Sequence, residues 1–446
     1  MIRDASPKQS MQWGAASDLL AEKMHILIVV PRFPALSETF VFRHVVELIG
    51  RGYDVWVLAN IVDKSLLEEL LEDQSEQAKL LLERVMNAPT PSGGRLAKLV
   101  QSLQALPWKP ASLVLLWRST IDLLQSFVGL SILTALPMPR ALQGAPSFDL
   151  IHAQHGLGSL CAARLIESGF LDGPLVATFH GTDLNMQRGQ PNRTIYAPVF
   201  RQAALCTVGS KFMTSHLTDA GLGPHDYKVL PVGVVTNDFR PSMPKEISET
   251  PVLATVGRLT RVKGVEYAIR AVSVLKEREQ PVLLKLAGDG ELKQELRALV
   301  HTLGVEDSVV FLGPTSHEEV RELLAEASIL VHPGIVDETG ACEAQGLVLA
   351  EAQAMQVPIV ASRVGGIPES IVEGETAMLT PQKKPEAIAD AIQELLDNPA
   401  RAKRMGEAGR SFVVKQFDQS QITDRWVKIY QELTQRPSNA PLPSAI

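Results

Sequence analysis

The chain has 446 residues, of which 45% are hydrophobic and 21% are charged, and its net charge is −7. The length is typical of two or three globular domains, and the acidic balance argues against nucleic acid as a partner. The three cysteines are too few and too widely spaced for a disulfide framework or a metal cluster, which favours a reducing, cytoplasmic location: Cys161, Cys206 and Cys342.

Residues 1–23 are polar and lack the apolar core of a signal peptide, and we predict that they form a disordered extension. From residue 24 to residue 240, short apolar runs alternate with helical patterns, which predicts βαβ units around a parallel sheet. The predicted strands of this N-terminal domain are 25–30, 54–59, 150–153, 174–178 and 204–208.

Residues 94–148 interrupt this pattern with an apolar segment that is locally basic. Its uncharged run, 123–139, is shorter than the roughly 20 apolar residues that a spanning helix needs. Two interpretations remain open: a helical insertion packed on the domain, or a segment that lies on a membrane surface with its basic residues against anionic lipid. The basic residues are Arg95, Lys98, Lys109, Arg118 and Arg140.

A second α/β series is predicted over 241–418, after the proline-containing linker 241–244. Two α/β halves joined by a linker predict a cleft between two parallel sheets, with the loops at the strand C-termini facing it. The predicted strands of this half are 252–256, 282–287, 309–312, 329–331 and 359–361.

Glu343 and Glu351 flank Gly346, which precedes an amphipathic run over 348–355. A glycine before a helix lets backbone N–H groups approach a ligand, and the helix N-terminus favours an anion such as phosphate. On one continuous helix the carboxylates would lie about 12 Å apart, beyond the roughly 5–9.5 Å of glycosidase acid/base pairs. The spacing favours two binding roles around a diphosphate, as in a nucleotide sugar. The alternative is an amphipathic helix with two exposed glutamates.

Two cations follow the first strand of the second half. Arg258 and Lys263 lie at a loop-to-helix junction and are suited to clamp a diphosphate, although two solvated surface cations would look the same. Asp289 and Gly290 form a turn after the next strand, a weaker signal that many strand-to-helix turns share.

Residues at the strand ends of the first half are predicted to face the same cleft. His180 and His155 each end a strand, where a histidine either donates to a sugar hydroxyl or phosphate or has a structural role. The loop between the first strand and the first helix also faces the cleft and carries Ser37, Glu38 and Thr39.

Together these motifs resemble the retaining, nucleotide-sugar-dependent glycosyltransferases of family four. Such enzymes have the GT-B fold, in which two Rossmann-like domains with parallel sheets face each other across a cleft. The resemblance extends from residue 24 to about residue 433, and its most specific segments are 257–264, 288–291 and 343–351. It implies that the C-terminal segment 419–446 contains a helix that returns to the N-terminal domain. Segments 37–40 and 180–183 are similar to members that build exopolysaccharides, including colanic-acid-type enzymes.

The resemblance implies a role for each candidate residue. Four residues are assigned to catalysis: His180, Glu343, Arg258 and Lys263. Six are assigned to donor binding: Gly346, Leu347, Val348, Glu351, Asp289 and Gly290. Four lie on the acceptor side: Ser37, Glu38, Thr39 and His155. The chain departs from the family at Ala344-Gln345, where Ser-Phe is common.

The implied activity is transfer of a hexose from a UDP- or GDP-linked donor to a hydroxyl of a saccharide or lipid-linked saccharide, without an essential metal. Retention at the anomeric carbon and a role in exopolysaccharide or cell-surface glycan synthesis are expected, in the cytoplasm or at the inner face of the plasma membrane. Two alternatives remain open: a GT-B enzyme that makes a small soluble glycoside or sugar-phosphate, and a non-catalytic nucleotide-sugar-binding protein.

Overall fold

The computed structural model describes residues 23–35, 38–90, 100–101, 104, 106–107, 109–125, 135–185, 195–221, 227–241 and 250–435. At 119–125, 182 and 185 only the backbone is described. Residues 1–22 of the predicted extension, residues 242–244 of the predicted linker and parts of the segment 94–148 therefore lie outside the described residues.

A parallel sheet forms the centre of the N-terminal half. Its strands are β1 His25–Phe33, β2 Asp54–Val62, β3 Val85–Asn87, β4 Leu150–Gln154, β5 Leu175–Phe179, β6 Ala203–Val208 and β7 Tyr227–Val229. In space they follow the order β3-β2-β1-β4-β5-β6-β7. Every residue of β4 and β5 is buried, as expected for central strands that are covered by helices on both faces.

The helices of this half connect the parallel strands. They are α1 Thr39–Gly50, α2 Lys64–Leu71, α3 Glu76–Lys79, α4 Leu81–Arg84, α5 Pro110–Gln125, α6 Met138–Ala141, α7 His155–Glu167, α8 Thr182–Asn185, α9 Ala197–Gln202 and α10 Thr214–Asp219.

The C-terminal half repeats the architecture with a second parallel sheet. Its strands are β8 Val252–Val256, β9 Leu283–Ala287, β10 Val309–Gly313, β11 Ile329–His332, β12 Ile359–Ser362 and β13 Ala377–Thr380, in the spatial order β10-β9-β8-β11-β12-β13. The helices are α11 Val265–Glu277, α12 Lys293–Leu303, α13 His317–Glu326, α14 Leu347–Ala354, α15 Pro385–Asp397, α16 Pro399–Gln416 and α17 Gln419–Thr434. The two sheets establish the α/β, two-Rossmann-domain fold that the sequence predicts.

Each predicted strand is present, with ends within three residues of the prediction. The pattern missed β3, β7 and β13, which have three or four residues and lie at sheet edges. Such short runs are too brief to show either alternation or a sustained apolar stretch.

The last helix, α17, packs on the N-terminal half. Its buried residues Ile422, Trp426 and Tyr430 share a hydrophobic core with Ile28 of β1 and Phe42 of α1. An apolar helix face is stable only when a partner covers it, and here that partner belongs to the opposite half. The chain therefore crosses between the halves a second time just before α17.

The two crossings are paired with each other. The Val234 amide donates to the Phe417 carbonyl at 2.8 Å, and the Gln419 amide donates to the Val234 carbonyl at 2.9 Å. Thr236 Oγ1 adds a bond to the Asp418 carboxylate at 2.5 Å. These bonds join the crossings into one short parallel bridge at the base of the cleft.

Helix α5, from the basic apolar segment, is buried on one side only. Leu115 is fully buried and α5 packs on α7, whereas Leu113 and Trp117 are 70% and 58% exposed. Within the described residues, no helix has both the length and the apolar character needed to cross a membrane. The exposed apolar side of α5 has no covering element within the described part of the chain.

Substitution of Trp426 by alanine should destabilise the N-terminal half through the core it shares with α17. Truncation of a buried tryptophan leaves a cavity and typically costs about 3–5 kcal/mol. The measurement is urea denaturation followed by circular dichroism. Lys428→Ala, at an exposed position of the same helix, is the control and should change the free energy of unfolding by less than about 0.5 kcal/mol. Equal stability of both variants would contradict the packing of α17.

Candidate active site

The two halves meet where the loop after β5 contacts the loop before α14. Gly181 has a φ of +105°, and a Cβ built on it would lie 2.6 Å from the Cβ of Ala344. Glycine tolerates both this backbone conformation and this close approach. Ser210 Oγ also donates to the Ala344 carbonyl at 2.7 Å. The contact brings His180 and Glu343, the chain neighbours of the two touching residues, to the cleft from opposite halves.

Gln345 binds the same loop to the N-terminal half. Its Oε1 accepts from the Val232 amide at 2.8 Å, and its Nε2 donates to the Val232 carbonyl at 2.9 Å. The Glu369 carboxylate accepts from the backbone amides of Lys211 and Phe212 at 2.6 and 2.7 Å. All of these bonds use backbone groups of the first half, so they fix position without depending on flexible side chains there.

Lys263 and Glu343 form the central ion pair of the C-terminal half. Lys263 Nζ lies 2.5 Å from Glu343 Oε2, and His332 Nε2 lies 3.4 Å from the same oxygen without a well-aligned hydrogen bond. Burial by itself would raise the pKa of Glu343, but Lys263 and His332 hold that pKa well below its usual range. Glu343 is therefore an anion at every physiological pH.

Lys263 is positioned by a turn that only glycine fits. Gly264 has a φ of +60°, and a Cβ there would collide with the Pro333 carbonyl of the loop after β11. The Lys263 side chain passes over Gly257, where a Cβ would lie 3.3 Å from Lys263 Cε. The glycines thus bring the lysine down onto the strand ends of β8 and β11.

Gly346 turns the chain from Glu343 into α14. It has a φ of +79° and is followed by Leu347 and Val348 in the first helical turn, so their amides lie at a helix N-terminus. The prediction of an amphipathic run over 348–355 is wrong, because every residue of 348–354 is buried. Helix α14 is covered by the sheet and by α16.

The burial of α14 also excludes two exposed glutamates on one helix. Glu343 precedes the helix, and Glu351 lies inside it with 7% of its surface exposed. Burial raises the pKa of Glu351 to about 7, against the lowering effect of nearby Lys263. The two carboxylates therefore differ in charge: Glu343 is ionised, and Glu351 is close to half protonated at neutral pH.

Two other candidates of the second half lie at the surface. Arg258 is exposed and has no ion pair among the described residues. The Asp289 carboxylate accepts from the Gly290 amide at 2.9 Å and from Lys293 at 3.1 Å. Gly290 has a packing reason, since a Cβ there would lie 2.5 Å from the Leu259 carbonyl.

His155 is a charged histidine at the cleft side of the first half. Its Nε2 lies 3.0 Å from Glu38 Oε2, and its Nδ1 lies 3.6 Å from Asp183 Oδ1. Burial opposes its protonation, but the two carboxylates outweigh that effect and raise the pKa of His155 to about 10. Its φ of +65° is uncommon for a residue other than glycine, which marks a conformation that the surroundings impose.

His180 lies beside His155 but is neutral. The ring centroids are 4.7 Å apart, and burial together with the charge of His155 lowers the pKa of His180 to about 3. Its Nε2 lies 2.7 Å from Gln154 Oε1, and its amide donates to Asp183 at 3.0 Å.

The remaining acceptor-side candidates lie at the start of α1. Thr39 is partly buried at the first position of that helix, next to Glu38. Ser37 lies outside the described residues, so its predicted role stays a prediction.

Sequence reasoning did not single out several residues that the fold brings to this cleft. Gln154 and His332 are the last residues of β4 and β11, and a strand-end position is the signal that could have identified them. Asp183 and Gln345 lie inside the segments 180–183 and 343–351, but the sequence analysis assigned neither of them a site role. Within the described residues, no group of three or more His, Cys, Asp and Glu side chains is arranged to hold a metal ion.

Two family descriptions match consecutive parts of the chain. Residues 37–238 match Glycosyltransferase Family 4, and residues 239–412 match Glycosyl transferases group 1. The boundary between the two matches falls at the first crossing between the halves.

Relatives of similar length are known. The chain is 27% identical to the amylovoran biosynthesis glycosyltransferase AmsK of Erwinia amylovora, over 89% of this chain and 96% of AmsK. It is also 27% identical to the putative colanic acid biosynthesis glycosyltransferase WcaL of Escherichia coli, over 90% of this chain and 98% of WcaL. A crystal structure of Anabaena HepE in complex with UDP and glucose shares the fold, with a TM-score of 0.68 and 19% identity over 92% of this chain and all of that chain.

The raised pKa of Glu351 predicts a pH-dependent cost to stability. The folded protein holds this proton more tightly than the unfolded chain, so stability falls as pH rises from about 4.5 to about 7. Glu351→Gln cannot ionise, so its free energy of unfolding should not show this fall with pH, which amounts to up to about 3 kcal/mol in the wild type. Urea denaturation at pH 5 and pH 8 measures the difference. Exposed Glu291→Gln should track the wild type at both pH values, and a pH-independent difference for Glu351→Gln would contradict the assignment.

Proposed function

We propose, because this chain belongs to the GT-B glycosyltransferases of group 1 and family 4, that it transfers a hexose from a nucleoside diphosphate sugar to a saccharide hydroxyl with retention at the anomeric carbon. The observation that carries the proposal is the half-buried ion pair of Lys263 and Glu343 beside the N-terminus of α14. The fold thereby brings a cation and a carboxylate next to the amides of a helix N-terminus, which suits a diphosphate next to sugar hydroxyls.

The proposed donor position follows from the chemistry of these groups. The diphosphate takes the amides of Gly346, Leu347 and Val348 together with Lys263, and exposed Arg258 reaches it from the cleft edge. Glu343 then accepts from the hexose hydroxyls, and Glu351 accepts from the ribose hydroxyls. These cations and amides meet the diphosphate charge themselves, so the proposed reaction needs no resident metal ion.

The proposed chemistry is attack from the face that the diphosphate leaves. The acceptor oxygen bonds to the anomeric carbon as the bond from that carbon to the phosphate oxygen breaks, and the acceptor proton passes to the departing phosphate oxygen. Glu343 is held by Lys263 in a binding role, so we assign the rate enhancement to positioning and to stabilisation of the leaving charge.

The comparisons favour particular substrates. HepE was crystallised with UDP and glucose, which makes a UDP-hexose the first donor to test. AmsK and WcaL are named for amylovoran and colanic acid synthesis, and we propose a role in exopolysaccharide assembly with a saccharide or lipid-linked saccharide as acceptor.

We further propose that α5 rests on an anionic membrane surface at the inner face of the plasma membrane. Leu113, Val114 and Trp117 are exposed on a helix whose opposite side is packed on the domain. Arg118 lies over the Trp117 ring at 4.9 Å, so a cation adjoins the apolar side, as lipid headgroups favour. Such a position would bring the cleft to a lipid-linked acceptor.

A donor panel tests the transferase proposal. Purified protein is incubated with UDP-, GDP- and ADP-hexoses, with and without saccharide and lipid-linked acceptors, and nucleoside diphosphate release is measured. One donor should be turned over, with or without EDTA, and Glu343→Ala should lower turnover by at least about 100-fold, a loss of some 2.7 kcal/mol or more of transition-state stabilisation. Exposed Glu277→Ala, at the C-terminal end of α11, is the matched control. Tight nucleotide binding without turnover under all conditions would favour the non-catalytic alternative.

Vesicle flotation tests the membrane proposal. The wild type should float with vesicles that contain anionic lipid, and this should weaken at high salt. The double variant with Leu113→Ser and Trp117→Ser should remain in solution, whereas Leu82→Ser, at a 45% exposed position of α4, should float as the wild type does. If the double variant floats as well as the wild type does, the proposed contact between α5 and the membrane is contradicted.

A further inference from the structure

A buried chain of hydrogen bonds runs from the C-terminal helix α17 to His180. Tyr430 Oη lies 2.6 Å from His152 Nδ1 and 2.8 Å from His44 Nε2. His152 Nε2 lies 3.1 Å from Gln154 Nε2, and Gln154 Oε1 lies 2.7 Å from His180 Nε2. The chain therefore begins on a helix that returns from the second half and ends at the predicted catalytic histidine.

The three histidines of this hydrogen-bonded chain, His44, His152 and His180, are neutral. Burial lowers the pKa of His44 to about 3, burial and the charge of His155 lower that of His180 to about 3, and burial moves the pKa of His152 well below 6.5. Burial likewise raises the pKa of Tyr430. A neutral imidazole has one N–H and one bare nitrogen, so each link has a direction.

The direction follows from the amide of Gln154. Its Oε1 can only accept, so His180 Nε2 carries the proton, and its Nε2 can only donate, so His152 Nε2 is bare. His152 Nδ1–H then donates to Tyr430, whose hydroxyl donates to His44 Nε2, which leaves the proton of His44 on its buried Nδ1, without an acceptor among the described residues. Thr178 Oγ1, at 2.7 Å, is a second donor to the bare His152 Nε2.

His180 Nδ1 is the free end of this chain. It has no hydrogen-bond partner among the described residues, and it is accessible to solvent. A bare nitrogen at the cleft accepts a hydrogen bond from a hydroxyl and repels a phosphate oxygen, which has no proton to donate at this position.

We propose that Gln154 is a positioning residue that fixes His180 as the Nε2–H tautomer, and that Tyr430 holds this setting through His152, so that His180 Nδ1 accepts from a hydroxyl of the donor hexose. The hydroxyl contact rests on the proposed function, whereas the tautomer setting does not. His180 thereby selects a sugar hydroxyl and not the leaving phosphate.

The hydrogen-bonded chain predicts that the Tyr430 hydroxyl, although distant from the cleft, controls the tautomer of His180. In Tyr430→Phe, His152 Nδ1–H loses its acceptor, so the proton moves to Nε2, where Thr178 Oγ1 can accept it. The His152 Nε2–H would then face the NH2 group of Gln154, so two donors would meet. The Gln154 amide would flip and present Oε1 to His152 as an acceptor. Gln154 would then donate to His180, whose own proton moves to Nδ1.

Histidine-selective 15N NMR on the full chain measures the tautomers directly. The wild type should show His180 as Nε2–H, with the signal assigned by its loss in His180→Ala, and Tyr430→Phe should show it as Nδ1–H. Tyr227→Phe, a partly buried tyrosine of the same half, should leave it unchanged. Wild-type His180 as Nδ1–H would overturn the proposal, as would an unchanged His180 tautomer in folded Tyr430→Phe. Gln154→Leu is the second variant, and it should abolish the tautomer preference.

Donor kinetics test the hydroxyl contact separately. Loss of one hydrogen bond should raise KM for the donor hexose about tenfold in Tyr430→Phe, and a deoxyhexose donor without the contacted hydroxyl should show no such difference. Equal KM values in a protein whose tautomer has switched would overturn the hydroxyl contact alone. Absence of turnover in the wild type, with the tautomers as expected, would refute the proposed function and leave the positioning role intact.

Discussion

The docking of the loop 343–345 onto the N-terminal half is the contact on which the rest of the site depends. Gly181 permits Ala344 to approach within van der Waals distance, and Gln345 spans both backbone groups of Val232. Because Glu343 and Lys263 are joined by an ion pair, the docked loop also holds the Lys263 ammonium group, whose backbone is placed by the Gly264 turn. The cleft therefore exists as a site only while the two halves hold this loop between them.

The same loop is confined from behind by glycines. A Cβ at Gly365 would collide with the Glu343 carbonyl, and one at Gly366 would collide with the Ala344 carbonyl. The family commonly has Ser-Phe where this chain has Ala344-Gln345, and a phenylalanine could not make the two bonds to Val232. The contact between the halves is thus polar and directional here, which restricts their relative position more tightly than an apolar contact of similar size would.

Much of the fold follows from local pattern, and much of the site does not. Strands such as β4 are continuous apolar runs, so their places were predictable, whereas β3 and β7 depend on neighbours for their pairing. Motif order predicted that Lys263 and Glu343 lie at the cleft, but it did not predict their mutual ion pair, which depends on Gly264 and the approach of the β11 loop. The prediction for helix α14 was wrong because its few polar residues suggest a solvent-exposed face, whereas α16 covers that face. Gln154 shows only its strand-end position in the sequence, because its role depends on two histidines that the sheet brings together.

At this cleft, two histidines differ in ionisation, and so do two glutamates, because their surroundings differ. His155 is held between two carboxylates and is charged, while His180 beside it is neutral because burial and the charge of His155 both lower its pKa. Glu343 is ionised against Lys263, while Glu351 is close to half protonated at neutral pH. In the proposed reaction the incoming diphosphate competes with Glu343 for Lys263. Donor binding would then separate the pair, with Lys263 turned to the diphosphate and Glu343 to the hexose hydroxyls. Both groups are already partly removed from water, so part of their desolvation cost is met before the donor binds.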